Sequence, residues 1–463
     1  MINYVKKHRF VKENTMKDLT RGNIYKTFIL FAIPLVLSGV LSQCYNLIDT
    51  VIAGKFLGDN GLAAIGCTAA FISFSSSIFW GYAAGASIHI AALFGARKYR
   101  DIKAAVYHNL GTLTAASVAF GLLVVLCDDW ILRFLQVDAS IYTDAKLYLD
   151  IYIIGFFLLL LSNNFVHIMN AFGLSSYPFY MSLVSAVLNI TGNILSVTVF
   201  KMGVVGIALS TLIAALAVDL CYLYKLRNCF KEMGVLETKV TFDVEIIKKI
   251  SIIALPCSAQ QLIMYIAGLV IAPMVNGINS SASAAYTVVQ QIYNLNATIY
   301  QNSSKTLSNY TAQCVGAGKT DQLKKGVRVG AVQGIAFVAV PILICMFCAK
   351  PVCSIFFPAG YAGEGLNYAV MFSRVYLPFV VFNVINNLFH SFYRGTASMK
   401  LLVLLTTTGA VARIIFSMIF IPGYGMQGMY IGWILSWVAE SILAIASFLS
   451  GIWKKDLPQR EYQ

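Results

Sequence analysis

The chain has 463 residues, of which 58% are hydrophobic and only 12% carry a formal charge, and its mean hydropathy is +0.73. A soluble globular protein carries about 25% charged residues, so this composition excludes a soluble protein and indicates one that crosses a membrane many times. The net charge of +14 does not require nucleic acid, because basic loops facing the cytoplasm and its anionic lipids account for it.

The N-terminal region is polar and basic over residues 1–21 and lacks the apolar core of a signal peptide. We therefore expect the chain to start in the cytoplasm. The first apolar segment, residues 26–56, carries one formal charge between Thr27 and Ala53, the carboxylate of Asp49. At about 1.5 Å per residue this helix exceeds the roughly 30 Å hydrocarbon core of a bilayer. A carboxylate inside a membrane helix is costly and indicates a functional site.

Twelve apolar segments have the length of membrane-spanning helices. They are residues 26–56, 61–93, 104–127, 146–170, 178–200, 203–225, 246–275, 284–314, 327–349, 367–392, 400–421 and 428–453. Most Lys and Arg residues lie at the two termini and in the loops after the second, sixth, eighth and tenth segments. The excess of cytoplasmic positive charge predicts a multi-pass protein of the cell membrane with both termini inside.

The second half of the chain repeats the first at an offset of 221–222 residues. The matched pairs are Pro34 with Pro256, Ala63-Ala64 with Ala284-Ala285, Gly95-Ala96-x-Lys98 with Gly316-Ala317-x-Lys319, Gly173 with Gly395, and Gly203-x-x-Gly206 with Gly425-x-x-Gly428. Six helices per half give both halves the same orientation, as in parallel-repeat transporters. We expect lobes at 1–227 and 246–463, a cytoplasmic linker at 228–245, and transport by alternating access.

Several motifs resemble those of the multidrug and toxic compound extrusion (MATE) family over about residues 20–455. They are PLVLSGVLSQCYNLIDTVIAGKFLG at 34–58, Phe94-Gly95-Ala96, Val315-Gly316-Ala317, Asn189-ITG-Asn193 and Gly203-VVG-IALST. The resemblance implies an all-α fold of twelve transmembrane helices in two six-helix lobes arranged as a V. It also implies export of organic, often cationic, compounds driven by inward Na⁺ or H⁺.

The resemblance further implies a cation site in the first lobe, formed by Asp49, Asn189, Asn193 and Thr211. Many relatives carry a second carboxylate in the seventh helix, but the stretch CSAQQLIMYIAG after Pro256 has no acid. We therefore expect the coupling site in the first lobe alone.

Helix geometry independently supports this site. Asp49, Asn193 and Thr211 each lie seven or eight residues from the predicted outer end of a segment, about 10–12 Å deep. Asn189 and Asn193 are four residues apart and share a helix face. Carboxylate, amide and hydroxyl oxygens suit Na⁺, whereas a buried carboxylate can carry a proton, so both ions stay open. Asp49 could also serve only as a hydrogen-bond partner within its bundle.

The second half contains further intramembrane charges. Arg413 and Glu440 have similar predicted depths and are expected to pair, either as a substrate or gating contact or as a structural ion pair. Lys305 lies in a segment too polar for lipid contact, which also contains Asn294 and Tyr300. These five residues are candidate cavity residues, and Lys305 needs a partner such as Asp219 or a substrate range broader than cations.

Other motifs have simpler interpretations. The run Gly316-Ala-Gly-Lys-Thr320 imitates part of a phosphate loop, but the required first glycine is replaced by Gln313 and no strand precedes it. We interpret it as a cytoplasmic turn. His89, His167 and His390 do not cluster in the sequence, which favours core packing over a proton relay.

The sequence therefore predicts a cation-coupled multidrug antiporter. The alternative is a flippase for a lipid-linked oligosaccharide from the same superfamily, which would carry several cationic residues in its central cavity. A membrane enzyme is a third class, for which Asp128-Asp129 in an external loop is too little. We expect no enzymatic activity, no cofactor beyond Na⁺ or H⁺ as coupling ion, small organic substrates, no nucleic acid or nucleotide, and a monomer in the bilayer.

Overall fold

The computed structural model describes residues 16–358 and 360–457, and in this part of the chain the regular elements are all helical. The α-helices are α1 (Ile24–Gly95), α2 (Tyr99–Leu126), α3 (Asp128–Phe134), α4 (Tyr142–Ile154), α5 (Phe156–Ala171), α6 (Ser176–Thr198), α7 (Gly203–Glu232), α8 (Val244–Asn276), α9 (Ser280–Gly316), α10 (Leu323–Phe347), α11 (Ala349–Ser354), α12 (Glu364–Met371), α13 (Val380–Gly395) and α14 (Met399–Leu449). A π-helical turn, Phe372–Tyr376, and a short 3₁₀ turn, Leu377–Phe379, connect α12 to α13.

Two of these helices are too long for one crossing. Helix α1 has 72 residues and α14 has 51, whereas about 20 residues span a bilayer. Each contains one break, at Gly58 with φ 67° and at Gly425 with φ 55°. Only glycine adopts positive φ at little steric cost, so each glycine ends one membrane pass and begins the next.

The number of passes agrees with the sequence prediction. Eight helices of the described chain are long and apolar enough to cross a membrane, and α4 with α5, bent by 48°, forms a ninth span. The breaks in α1 and α14 divide two of these helices and add two spans. Helix α9, with 37 residues, is long enough but rich in polar side chains, and it provides the twelfth. The protein is therefore a multi-pass, all-α membrane protein.

Contacts divide the described chain into two compact units. The first contains residues 16–18 and 37–258, and the second contains residues 19–36, 259–358 and 360–457. The start of α1 belongs to the second unit, where Phe28 packs edge-on against Tyr310 with ring centroids 5.0 Å apart. The start of α8 belongs to the first unit, where Ser258 Oγ donates to the Ile78 carbonyl at 2.7 Å. The predicted lobes follow the linear repeat and differ from these units in the two half-helices.

The repeat is visible in the backbone where α1 and α9 end. The amide of Lys98 donates to the Leu93 carbonyl at 3.0 Å, and the amide of Lys319 donates to the Cys314 carbonyl at 2.9 Å. Arg97 and Gly318, which precede the two lysines, both have positive φ, 59° and 70°. These are matching helix C-terminal caps. The run from Gly316 to Thr320 thus joins the end of α9 to a 3₁₀ turn, Thr320–Gln322, that precedes α10, whereas a phosphate loop follows a strand.

One predicted repeat match is shifted. Gly173 has φ 75°, and the residue with this conformation in the second half is Ala397, with φ 57°, rather than Gly395. The backbone offset at this turn is therefore 224 residues. Gly203 and Gly425, with φ 60° and 55°, keep the predicted offset of 222.

The segment that connects the two halves is fixed to α2. The buried Lys103 ammonium donates to the carbonyls of Leu236 and Thr238 at 2.6 and 2.7 Å. The Nε2 atom of His108 accepts the amide of Asp243 at 2.8 Å. Three hydrogen bonds therefore attach the predicted cytoplasmic linker to the first unit.

Candidate functional site

The four residues of the predicted cation site lie together in the first unit. Asn193 Nδ2 donates to Asp49 Oδ1 at 2.7 Å and to Asn189 Oδ1 at 2.8 Å. Asn189 Nδ2 donates to Thr211 Oγ1 at 2.9 Å. A continuous hydrogen-bonded network thus joins α1, α6 and α7, and we call these four residues the Asp49 network. The role of the network in cation coupling stays a prediction.

Close packing of α6 against α7 lets short side chains reach across. A Cβ added to Gly206 would lie 2.7 Å from the Ser196 hydroxyl, and one added to Gly192 would lie 3.0 Å from the Ser210 Cβ. Small residues at both contacts bring the two backbones together. This close approach sets the distance at which Asn189 meets Thr211.

The network has unused capacity for a cation. Asn193 Oδ1 is buried and has no hydrogen-bond partner among the described residues. The Tyr45 hydroxyl interacts with both Asp49 and Thr211. A buried amide oxygen without a donor costs free energy, and a cation near the carboxylate would satisfy it. The oxygen donors therefore fit a hard cation such as Na⁺.

A cavity of about 330 Å³ adjoins the network inside the first unit. Tyr45 and Thr211 belong to its wall, together with other aromatic and small polar side chains. The additional wall residues include Trp80, Tyr152, Tyr222, Ser162, Asn163, Ser182 and Ser185. A mixed aromatic and polar wall suits an amphiphilic organic molecule, since aromatic faces attract organic cations.

Asp219 is a buried acid in the first unit, and its partner there is a serine. It is 3% exposed and accepts a hydrogen bond from Ser162 at 2.6 Å. Lys305 instead donates to Asn302 Oδ1, three residues earlier on its own helix, at 2.9 Å. This acceptor at i−3 takes one of the three N–H donors of the ammonium, and the pairing of Lys305 with Asp219 stays a prediction.

The predicted pairing of Arg413 with Glu440 is wrong. Glu440 Oε1 lies 2.7 Å from His390 Nε2, while the Arg413 guanidinium lies over the Trp433 ring, 4.3 Å from its centroid. The break at Gly425 lies 12 residues after Arg413 but 15 before Glu440. Glu440 is therefore about 4–5 Å deeper, where it contacts His390.

The remaining candidates of the second unit have different environments. Tyr300 is fully buried, and its hydroxyl donates to the Tyr293 hydroxyl at 3.2 Å and accepts from Asn383 at 2.9 Å. Asn294 is exposed on α9. His390 was assigned to core packing, so the sequence interpretation missed its ion pair with Glu440. Two ionisable residues inside predicted spans were the signal that could have found it.

A comparison with known families identifies the family. The family model MatE matches residues 34–195 and 256–419, which is one match in each half and most of the chain. The chain belongs to the MatE family. The resemblance seen in the sequence motifs is thereby confirmed.

Several proteins are similar to this MatE-family chain. It is 25% identical over 320 residues to the probable multidrug resistance protein YoeA of Bacillus subtilis, covering 67% of this chain and 69% of that protein. It is 23% identical over 458 residues to YpnP of the same organism, a probable multidrug resistance protein, covering 94% and 97%. It is 22% identical over 450 residues to the probable multidrug resistance protein NorM of Thermotoga maritima, covering 93% and 94%.

Solved structures share the fold. The outward-facing conformation of a multidrug resistance MATE family transporter of the MOP superfamily superposes with a TM-score of 0.85 at 21% identity, covering 95% of this chain and 99% of that one. A MATE structure in the straight conformation gives a TM-score of 0.85 at 21% identity, covering 95% and 100%. The twelve-helix MATE fold predicted from the sequence is confirmed.

Proposed function

We propose that this chain is a cation-coupled antiporter that exports amphiphilic, often cationic, organic compounds by alternating access. It acts as a monomer in the cell membrane, with both termini in the cytoplasm. The observation that carries this proposal is the Asp49 network beside the 330 Å³ cavity. The names of the similar proteins, which include probable multidrug resistance proteins, support export of drugs.

The arrangement suits coupling because the ion site and the cavity share side chains. Thr211 belongs to the network, Tyr45 interacts with it, and both side chains form part of the cavity wall. A cation that binds at Asp49 changes the hydrogen bonds of these two residues and therefore changes the wall. By thermodynamic linkage, a drug that alters the wall must change the affinity for the cation by the same factor.

Either Na⁺ or H⁺ can act at this carboxylate. Sodium would use Asp49 with the amide and hydroxyl oxygens of Asn189, Asn193 and Thr211, all of which are hard donors. A proton would neutralise Asp49 and weaken its charge-assisted bond with Asn193. Both ions remove the negative charge that holds the network at 2.7 Å.

The test is efflux of ethidium from proteoliposomes under a Na⁺ gradient and, separately, under a pH gradient. We expect Asp49→Asn to lose energised efflux while it folds and inserts normally. Asp59→Asn is the matched control, since Asp59 is an exposed acid on the same helix, beyond the Gly58 break. Full energised efflux by Asp49→Asn would show that the network does not couple the ion.

A further inference from the structure

The second unit buries an acid–base pair that the proposed coupling site does not use. Glu440 on α14 and His390 on α13 are each 5% exposed. Glu440 Oε1 lies 2.7 Å from His390 Nε2. A carboxylate at this depth requires a partner, because transfer of an isolated charge out of water costs several kcal/mol or more.

The two oxygens of the Glu440 carboxylate differ in their hydrogen bonds. Asn386 Nδ2 donates to Glu440 Oε2 at 3.1 Å and to the Trp437 backbone carbonyl at 3.0 Å. The Ser441 hydroxyl donates to the side-chain oxygen Oδ1 of Asn386 at 2.6 Å and thereby orients the amide. Oε1, the oxygen close to His390, has no well-directed hydrogen bond among the described residues. That oxygen therefore has a lone pair available to accept a proton.

A glycine makes room for this carboxylate. A Cβ added to Gly409, on the other arm of α14, would overlap Glu440 Oε2. Any larger residue at this position would displace the carboxylate from Asn386. The backbone, the amide and the imidazole thus form a site shaped around Glu440.

Other ionisable groups of the second unit lie on the helices that carry the pair and on α9. They include Tyr293, Tyr300 and Lys305 on α9, Tyr393 and Arg394 on α13, and Arg413 on α14. Arg394 donates to Gln260 at 2.8 Å and Tyr393 bonds to Ser447 at 2.7 Å. His390 is therefore the basic side chain in contact with Glu440 within the part of the chain that the structure describes.

Histidine gives this pair a property that Arg or Lys would not. One proton shared between carboxylate and imidazole makes the pair neutral, whereas loss of that proton or gain of a second leaves a net charge. An Arg partner stays protonated at every relevant pH, but imidazole changes its charge near neutrality. The two proton-binding steps belong to the pair as a whole.

The first repeat also carries a carboxylate and a histidine at corresponding positions, Asp219 on α7 and His167 on α5. Asp219 lies 221 residues before Glu440, the offset of the repeat, and accepts from Ser162 on α5 at 2.6 Å. In the second unit, Asn386 on α13 donates to Glu440 in a comparable way. In the second unit the carboxylate and the histidine are in contact, with 2.7 Å between Glu440 Oε1 and His390 Nε2.

We propose that Glu440 and His390 form a second proton-binding site, which takes up and releases one proton in each transport cycle in addition to the cation at Asp49. The proton comes from water on one side, forms an O–H bond at Oε1 or an N–H bond at the imidazole, and returns to water on the other side. This inference rests on the proposed antiport function, so its test needs one readout that is independent of transport.

The first readout is infrared difference spectroscopy of the purified full chain in lipid nanodiscs between acidic and alkaline pH. We expect a protonated-carboxyl C=O band that Glu440→Gln removes and His390→Gln shifts. Glu364→Gln, which changes an exposed acid, leaves this band unchanged. Spectra of Glu440→Gln that match wild type would overturn the proposal, whether or not the chain transports ethidium.

The second readout is the equilibrium ethidium ratio across proteoliposomes at a fixed pH gradient. Loss of one coupled proton lowers this ratio about tenfold for each pH unit of the gradient. We expect this loss in both Glu440→Gln and His390→Gln. If both variants only melt at lower temperature while the ratio stays at the wild-type value, the pair is structural and the proposal is wrong. If wild type moves no ethidium, the proposed function fails, and the infrared band alone decides whether the pair binds a proton.

Discussion

The sharpest test of the Asp49 network is Asn193→Leu. Asn193 is fully buried and is the only residue of the network that bonds directly to both Asp49 and Asn189. Leucine has nearly the same shape, so the change removes the amide while it leaves little cavity. The variant therefore isolates the hydrogen bonds from the packing.

The size of the effect follows from the bond that is lost. A hydrogen bond to a charged group contributes about 1.5–3 kcal/mol, which corresponds to about 10- to 150-fold in an ion-binding constant. The direction depends on the ion. Sodium binding weakens, because the Asn193 oxygen is lost as a ligand. Proton binding strengthens, because the donor that favours the charged carboxylate is gone, and half-maximal transport then moves up by about 1–2 pH units.

The assay measures ethidium efflux against Na⁺ concentration at constant pH, and against pH without Na⁺. Thr198→Val is the matched control, since Thr198 is an exposed residue of α6 that bonds only to the carbonyl of Ile194. A Na⁺ shift in one direction or a pH shift in the other identifies the coupling ion. If both dependences stay at wild-type values, the bond between Asn193 and Asp49 has no part in coupling.

Two further predictions concern the scaffold. Gly206→Val should lower the unfolding free energy by about 1–3 kcal/mol through overpacking against Ser196, which thermal unfolding measures; Gly268→Val, where a Cβ meets nothing within 4 Å, is the control. Lys103→Met should detach the linker at 228–245 from α2, because the bond to the Leu236 carbonyl is lost. We expect faster proteolysis of the linker with little change in the global melting temperature. Unchanged cleavage would show that other contacts hold the linker.

The Asp49 network could be predicted from the sequence because the depth of a residue in a membrane helix is proportional to the number of residues between it and the helix end. The rise per residue is constant, so residues at equal distances from the outer ends lie at one level. The i, i+4 spacing of Asn189 and Asn193 adds a shared face. Together with the family resemblance, these two rules were sufficient to place Asp49 and Thr211 beside both amides.

The same count failed for Arg413 and Glu440 because height does not fix rotation about the helix axis. Two residues at one level can point to different neighbours, and Arg413 points to Trp433 while Glu440 points to His390. The position of the break, at Gly425, also decides the depth on each arm. No hydrophobic pattern in a span this apolar specifies either quantity.

The sequence also did not predict that the start of α1 belongs to the second unit and the start of α8 to the first. Residues 28–36 and 250–257 are apolar except for Ser251, as expected for membrane helices. Such a segment gains nearly as much burial against one bundle as against another. The choice depends on specific contacts, such as Phe28 on Tyr310, that only three-dimensional packing reveals.

The duplication explains why the turns of the two halves agree while their polar sites differ. Gly203 and Gly425 share a left-handed backbone because both halves need the same chain reversal, which strongly favours glycine. The position of Asp49 corresponds at the repeat offset to Val270 or Ile271, so the second half has no carboxylate there. A repeat preserves what the backbone geometry demands, but a buried charge persists only where its function repays the cost of desolvation. Glu440 is buried in the half that lacks the Asp49 network, where it contacts His390.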